Sequence, residues 1–192
     1  MTKDTKDTKD TKTKVQNTEK KDIKNEVQQE IMSWIKAGII TLFAYIFINF
    51  FIFTARVDGP SMLSTFTHGD LIFVNRIAYS RTLPEYEDVV IFTSNTRGYE
   101  LIKRVIGLPG DHIVIKDGQV YRNGTLLQEP YLDDGIVTEG DIDTIVNEGF
   151  IFVMGDNRPN SADSRIDEIG QVSMDSVKGK VFLRIIPNPK FF

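Results

Sequence analysis

The feature that most constrains this chain is an unbroken apolar run, Trp34–Phe53, reading WIKAGIITLFAYIFINFFIF. As a helix its 20 residues extend about 30 Å, the thickness of a bilayer's hydrocarbon core. The rest of the chain is too small to enclose such a helix on every side, so the run reads as a membrane anchor, expected over residues 31–55. Trp34 and Lys36 suit a lipid–water interface, the lysine by snorkelling. Asn49 is the one awkward polar residue and lies about a turn from the far end. The run exceeds a secretory h-region, and Thr54-Ala55-Arg56-Val57 offers no clear small-x-small cleavage pattern, so the anchor is expected to stay uncleaved. Lys20, Lys21, Lys24 and Lys36 lie at its start, whereas after it Arg56 stands alone until Arg76. This asymmetry places the N-terminus in the cytoplasm and residues 56–192 outside, in a single-pass topology.

Before the anchor, residues 1–30 read as a polar cytoplasmic tail. The stretch to about Lys21 opens with Thr-Lys-Asp repeats and carries little to bury, so it is expected to be disordered. Lys24–Glu30 could extend as a polar helix into the anchor. After it, residues 56–192 hold all seven prolines and alternate short β-type runs with turn signals. Asp117-Gly118 and Asn123-Gly124 read as tight hairpin turns. No convincing amphipathic helix of ten or more residues appears there, and a mainly β, antiparallel domain is expected. The formal net charge of −4 gives no reason to expect nucleic acid as a partner. Cysteine is absent and only His68 and His112 stand for histidine, which removes disulfides and thiolate metal sites and argues against a histidine metal cluster. No metal or cofactor is expected.

Three clusters carry chemistry. Asp58-Gly59-Pro60-Ser61-Met62 reads locally as a turn, but its serine is only eight residues past Phe53, within about 30 Å of the anchor's end even when extended. Glu100–Asp111, ELIKRVIGLPGD, places Lys103 and Arg104 on opposite faces of a strand, Leu101 and Val105 alongside Lys103. Both cations could snorkel from an edge strand. Alternatively, Lys103 is held in an apolar environment that lowers its pKa. Base catalysis needs that shift, because free lysine is neutral only about once in 2,500 at pH 7. Gly155–Arg165, GDNRPNSADSR, reads as a polar turn, yet Ser161, Asp163 and Arg165 could orient a neighbouring base.

In this order, an anchor, Gly-x-Ser-Met, Lys-Arg-Val-Ile-Gly-Leu-Pro-Gly-Asp and Gly-Asp-Asn-Arg-x-x-Ser-x-Asp-Ser-Arg closely resemble bacterial type I signal peptidases. The match spans nearly all of residues 31–187, and the short Lys103–Ser161 spacing is similar to the compact Gram-positive form. The resemblance implies an antiparallel β catalytic domain and removal of signal peptides from secreted preproteins at the outer membrane face. It implies Ser61 as nucleophile, its N–H in the oxyanion hole, and Lys103 as general base. It also implies that Ser161 orients the lysine by a hydrogen bond while Asp163 and Arg165 brace the site. Val57, Met62, Leu101 and Ile102 fall at or beside positions that line pockets for small substrate side chains. The expected partners are signal peptides and the bilayer.

Departures from the pattern concern Ser64 in place of a common Pro, Phe66 in place of Leu and Leu101 in place of Tyr, expected at the pocket walls. Gly59 stands where some members carry a serine donor to the oxyanion. Alternatives are a histidine-based hydrolase using His68 or His112, a tethered binding module without catalysis, and a self-cleaving Ser-Lys repressor.

Overall fold

A computed structural model describes residues 4–94, 96 and 98–192, with side chains from Glu26 onward. The chain divides into two units, Met1–Asn49 and Phe50–Phe192. The first is helix α1 (Asp4–Phe51), which runs on into the second. Its Glu26–Phe51 stretch has mean hydropathy 1.9 and buries none of its side chains within the protein, so it is long and apolar enough to cross a membrane. Asn49 Nδ2 donates to the Tyr45 carbonyl at 2.8 Å and Thr41 Oγ1 to that of Ala37 at 2.9 Å. These polar groups are therefore satisfied inside the helix, as an apolar medium requires.

Two boundaries differ from the sequence reading. The backbone is helical from Asp4, where disorder is expected to about Lys21, and Met1–Lys3 lie outside the described residues. A helix satisfies its own backbone groups and needs no core, so scarcity of apolar residues denies the segment a packed fold but not a helix. At the other end the helix stops at Phe51, and Ile52–Ala55, assigned by sequence to the anchor, already belong to a strand. Ile52 and Phe53 are as apolar as the helix before them, so hydropathy could not mark the change.

The second unit is mostly β, and its strands pair antiparallel. Its strands are β1 (Ile52–Arg56), β2 (Leu71–Asn75), β3 (Val89–Thr93), β4 (Glu100–Gly107), β5 (His112–Lys116), β6 (Gln119–Arg122), β7 (Thr125–Leu126), β8 (Ile142–Ile145), β9 (Phe150–Met154), β10 (Val172–Ser173), β11 (Val177–Ile186) and β12 (Lys190–Phe191). The larger sheet has the order β1-β2-β11-β3-β4-β9-β10 with β12 beside β11, and the smaller has the order β7-β6-β5-β8. Both expected hairpin turns form. Asp117-Gly118 and Asn123-Gly124 each take positive φ at both positions, 52° and 78°, the twist a two-residue hairpin demands.

Period-two alternation distributes β3, β4 and β9 among three apolar clusters. Ile91 and Ile102 join Val57, Met62 and Ile72. Val90, Phe92, Val105, Ile151 and Val153 form the second, and Ile106, Phe152 and Met154 the third with the smaller sheet. These central strands are buried on both faces, which explains their nearly continuous apolar sequence. One pairing detail matters for the site. β3 pairs with Glu100–Arg104, but β9 pairs with β4 only at Arg104, Val105 and Gly107. Glu100–Lys103 therefore has one unpaired side, and so does β1, which pairs with β2 alone.

Candidate active site

Ser61 lies in a turn that follows β1 and is tied down at both ends. The buried side chains of Met62 and Phe66 root it in the first cluster, and the Phe66 N–H closes on the Met62 carbonyl at 2.7 Å. From across the chain, Asn157 holds both carbonyls at the serine: its N–H donates to Ser61 O and its Nδ2 to Pro60 O, each at 3.0 Å. The Ser61 N–H itself donates to nothing among the described residues. Its side chain is half-buried, with Oγ turned toward Lys103.

Lys103 Nζ donates to Ser61 Oγ at 2.7 Å and to the carbonyl of Ile102 at 2.8 Å. The two adjacent cations of β4 are both buried, Lys103 at 1% exposure and Arg104 at 6%, so neither snorkels. Their surroundings differ in one decisive respect. Arg104 is met by a carboxylate in bidentate fashion, Nε to Asp156 Oδ1 at 2.8 Å and Nη2 to Asp156 Oδ2 at 2.6 Å. Thr65 Oγ1 also donates to Asp156 Oδ2, at 2.5 Å. Lys103 forms no ion pair among the described residues. Burial therefore pushes its ammonium down to about 8, against a weaker upward pull from the charges of Asp163 and Asp156. About one Lys103 in ten is then neutral at pH 7, some hundreds of times the fraction for a free lysine.

Asp163 and Arg165 pair as the sequence suggests. Arg165 Nε donates to Asp163 Oδ1 at 2.8 Å and Nη2 to Oδ2 at 2.9 Å. Asp163, fully buried, also accepts the Gly155 N–H at 3.0 Å. Ser161 differs from expectation. Its buried Oγ has no hydrogen-bond partner, so the expected bond to Lys103 is not formed; the lysine's second donor is taken instead by the Ile102 carbonyl beside it. Gly155 explains the close packing here. A Cβ at that position would fall on Ser161 Oγ and on the Ser61 carbonyl oxygen. Gly155→Ala is expected to push the Ser61 backbone aside, lowering kcat about a hundredfold, the order of loss for a misplacement near 1 Å. Activity assays alongside urea unfolding check this; a variant with wild-type kcat would show that the contact yields freely.

Beside Ser61 is a cavity of about 100 Å³ whose walls include Val57, Ile72, Ile91, Leu101 and Ile102, with Arg56, Asp58 and Glu100 among its polar lining. Of the four expected pocket residues, Val57, Leu101 and Ile102 line it. Met62 does not. It is fully buried in the core, because its side chain roots the turn that presents Ser61. Phe66 is likewise core rather than pocket wall, its ring 4.6 Å from that of Phe192. Leu101, by contrast, is a wall residue, as expected.

Residues 31–186 match the family model described as "Signal peptidase, peptidase S26". The chain belongs to the S26 signal peptidase family. It is similar to Signal peptidase I of Bacillus caldolyticus, 37% identical over 80% of this chain and 87% of that protein. It is also similar to Signal peptidase I T of Bacillus subtilis (strain 168), 35% identical over 87% of this chain and 91% of that one. A crystal structure of a signal peptidase I from Enterococcus faecalis V583 is 34% identical, covering 52% of this chain and 97% of that one with a TM-score of 0.46.

In this S26 signal peptidase family member the histidines stand apart from the serine. His68 Nδ1 lies 3.1 Å from Asp58 and His112 Nε2 lies 2.6 Å from Asp143, and Ser61 Oγ meets lysine instead. Among the described residues no group of three or more His, Cys, Asp or Glu could hold a metal ion. Sequence reasoning missed Asp156, Thr65 and Asn157, as well as the walls Ile72 and Ile91. Arg104 carried a usable signal. Once its strand is read as buried on both faces, it must have a carboxylate, and Asp156 in the third motif is a neighbour of the residues already singled out.

Proposed function

We propose that this chain is a membrane-anchored serine endopeptidase that removes signal peptides from secreted preproteins through a Ser61–Lys103 dyad. The observation that carries the reading is the 2.7 Å contact between Ser61 Oγ and a buried lysine with no carboxylate partner among the described residues. Neutral Nζ accepts the Ser61 proton as Oγ bonds to the scissile carbonyl carbon. Negative charge moves to the carbonyl oxygen, for which the free Ser61 N–H is a donor. When the C–N bond breaks, the ammonium returns that proton to the departing amine, leaving the signal peptide as an ester on Ser61. Water then adds to the ester with Lys103 again as base, and Oγ leaves with the proton, freeing the signal peptide carboxylate.

Three groups support the dyad in this reading. Asp163 and Arg165 hold the 155–165 segment in place, and the unpartnered Ser161 hydroxyl has capacity to orient Nζ once substrate engages Ser61. Substrate enters as an extended strand beside the unpaired stretches of β1 and β4, an instance of strand addition. The cavity, about 100 Å³, has room for the side chain of alanine. Val57, Leu101 and Ile102 are its selective walls. The apolar stretch of α1 inserts in the bilayer with its lysine-rich side in the cytoplasm, so the dyad works on the extracytoplasmic side.

The test is cleavage of a preprotein bearing an Ala-x-Ala site by the full chain in detergent or lipid. Ser61→Ala is expected to abolish it, and wild-type kcat/KM is expected to rise with pH to a plateau above an apparent pKa of about 8, because only neutral Lys103 is competent. Cleavage retained in Ser61→Ala, or a rate independent of pH from 6 to 10, would contradict the mechanism.

A further inference from the structure

Outside the three motifs, one short segment meets the site from beneath. Glu129 and Tyr131 lie in the connection between β7 and β8, the Leu132 N–H closing a turn onto the Glu129 carbonyl at 3.0 Å. Glu129 grips Arg158 with both carboxylate oxygens, Oε2 accepting from Nη1 at 3.0 Å and Oε1 from Nη2. Glu129 is 12% exposed and the Arg158 side chain is wholly buried. Thr138, from the same connection, adds an acceptor for Arg158 Nη1 at 2.6 Å. Tyr131 OH donates to Glu129 at 2.8 Å, and its ring lies under Arg104, whose Cζ is 4.0 Å from the ring centroid.

These two arginines flank the segment that holds the nucleophile. Arg104 binds the carboxylate of Asp156. Arg158 Nε donates to the Gly155 carbonyl at 3.1 Å, while the Arg158 carbonyl accepts from Arg165 Nη2 at 2.7 Å. Between them stands Asn157, with its two bonds to the carbonyls of Ser61 and Pro60. A guanidinium buried with no anion is costly, so Arg158 stays against Gly155 only while Glu129 balances it. Arg104 is balanced by Asp156, and Tyr131 adds its ring face beneath the guanidinium to hold that pair in place.

We infer that Glu129 and Tyr131 are positioning residues for the catalytic serine, acting through Arg158 and Arg104 on residues 155–158. The inference rests on the peptidase reading above. Neither side chain touches the cavity beside Ser61, so their loss should misplace the reacting atoms without weakening substrate binding.

The experiment compares wild type, Glu129→Gln, Glu129→Ala, Tyr131→Leu and Tyr131→Phe as full chains in detergent. It measures kcat and KM on an Ala-x-Ala peptide, and amide hydrogen exchange at Gly155, Asn157, Ile91 and Val105. Glu129→Ala and Tyr131→Leu are expected to lose about 10- to 100-fold in kcat, as for displacements approaching 1 Å, with KM within about threefold. Tyr131→Phe, which keeps the ring under Arg104, retains at least several-fold more of kcat than Tyr131→Leu. Exchange at Gly155 and Asn157 quickens about tenfold or more while Ile91 and Val105 in the central strands hold their protection. Glu129→Gln, nearly isosteric, shows the same pattern more weakly should Glu129→Ala fail to fold. The inference is overturned by unchanged exchange at Gly155 and Asn157, by a loss expressed in KM alone, or by exchange that quickens equally at Ile91 and Val105. A wild type that does not cleave counts against the peptidase reading, and the exchange comparison still decides this one.

Discussion

Replacing Lys103 by methionine is expected to abolish cleavage and at the same time make the folded domain more stable. Methionine has the stem of lysine without the amine, so in the proposed dyad Ser61 loses its base; removal of a catalytic base of this kind costs about 10⁴-fold or more in kcat. The stability gain follows from the same burial that makes the lysine useful. Its folded pKa, about 8, lies below the ordinary value of about 10.4. The protonated form is therefore disfavoured in the folded state. Stability is full above the unfolded value and falls as pH drops from about 10.4 to 8, by about 3 kcal/mol at 1.36 kcal/mol per unit. At pH 7 wild type bears all of that penalty and Lys103→Met bears none. Urea unfolding of both chains in detergent at pH 7 and pH 10.5 checks the sign: the variant should be more resistant at pH 7, and the difference should shrink at the higher pH. Equal midpoints at pH 7 would mean that the folded protein does not hold a buried, destabilised ammonium.

The second large effect belongs to Asp156. Its carboxylate is fully buried and receives two bonds from Arg104 and one from Thr65. Asp156→Ala leaves a guanidinium at 6% exposure with only the Glu87 carbonyl at 2.9 Å, the Thr65 hydroxyl at 3.2 Å and the Tyr131 ring at 4.0 Å for company. Breaking a buried pair from one side costs about 3–5 kcal/mol, a large share of the 5–15 kcal/mol typical of a domain. Asp156→Ala should therefore be largely unfolded or strongly shifted in urea midpoint. Removing both charges together, as Arg104→Met with Asp156→Leu, should restore most of the stability, because no charge is then buried alone. A single Asp156→Ala variant as stable as wild type would show that water reaches Arg104 in the folded protein.

These two sites show how neighbouring cations in one strand take opposite roles. Strand alternation sends Lys103 and Arg104 to different environments, and each is buried. The arginine cannot shed its proton and is matched by a carboxylate. The lysine is denied one and is biased toward neutrality. Alternation was legible in the sequence; which cation would receive the carboxylate was not, since Asp156 lies 52 positions further on and only the β4–β9 pairing brings the two together.

Other elements divide in the same way. The hairpin turns at Asp117-Gly118 and Asn123-Gly124 were readable because two positive φ values in succession demand those residue types locally. The end of α1 was not, because Ile52 and Phe53 satisfy a bilayer and a sheet equally well. Met62 sits next to Ser61 in sequence, and the family resemblance assigns it to the pocket. In the folded chain its side chain points into the core, a consequence of the turn's direction and not of the residue's chemistry. Glu129 and Tyr131 carried no local signal at all; their importance rests on two arginines that the fold brings over them.

What the sequence alone determined is an apolar run long enough for a bilayer, an antiparallel β class, and a serine, a lysine and a supporting segment of defined composition. The first two follow from periodicity and turn chemistry, which act over a few residues; the last rests on the resemblance of its motifs to a known family. Only the tertiary structure decided that Ser61 and Lys103 meet at 2.7 Å, that Arg104 and not Lys103 is neutralised, and that Ser161 Oγ is left without a partner. Each depends on contacts between segments tens of residues apart, where burial sets the energy of a charge and the chain's own neighbours do not.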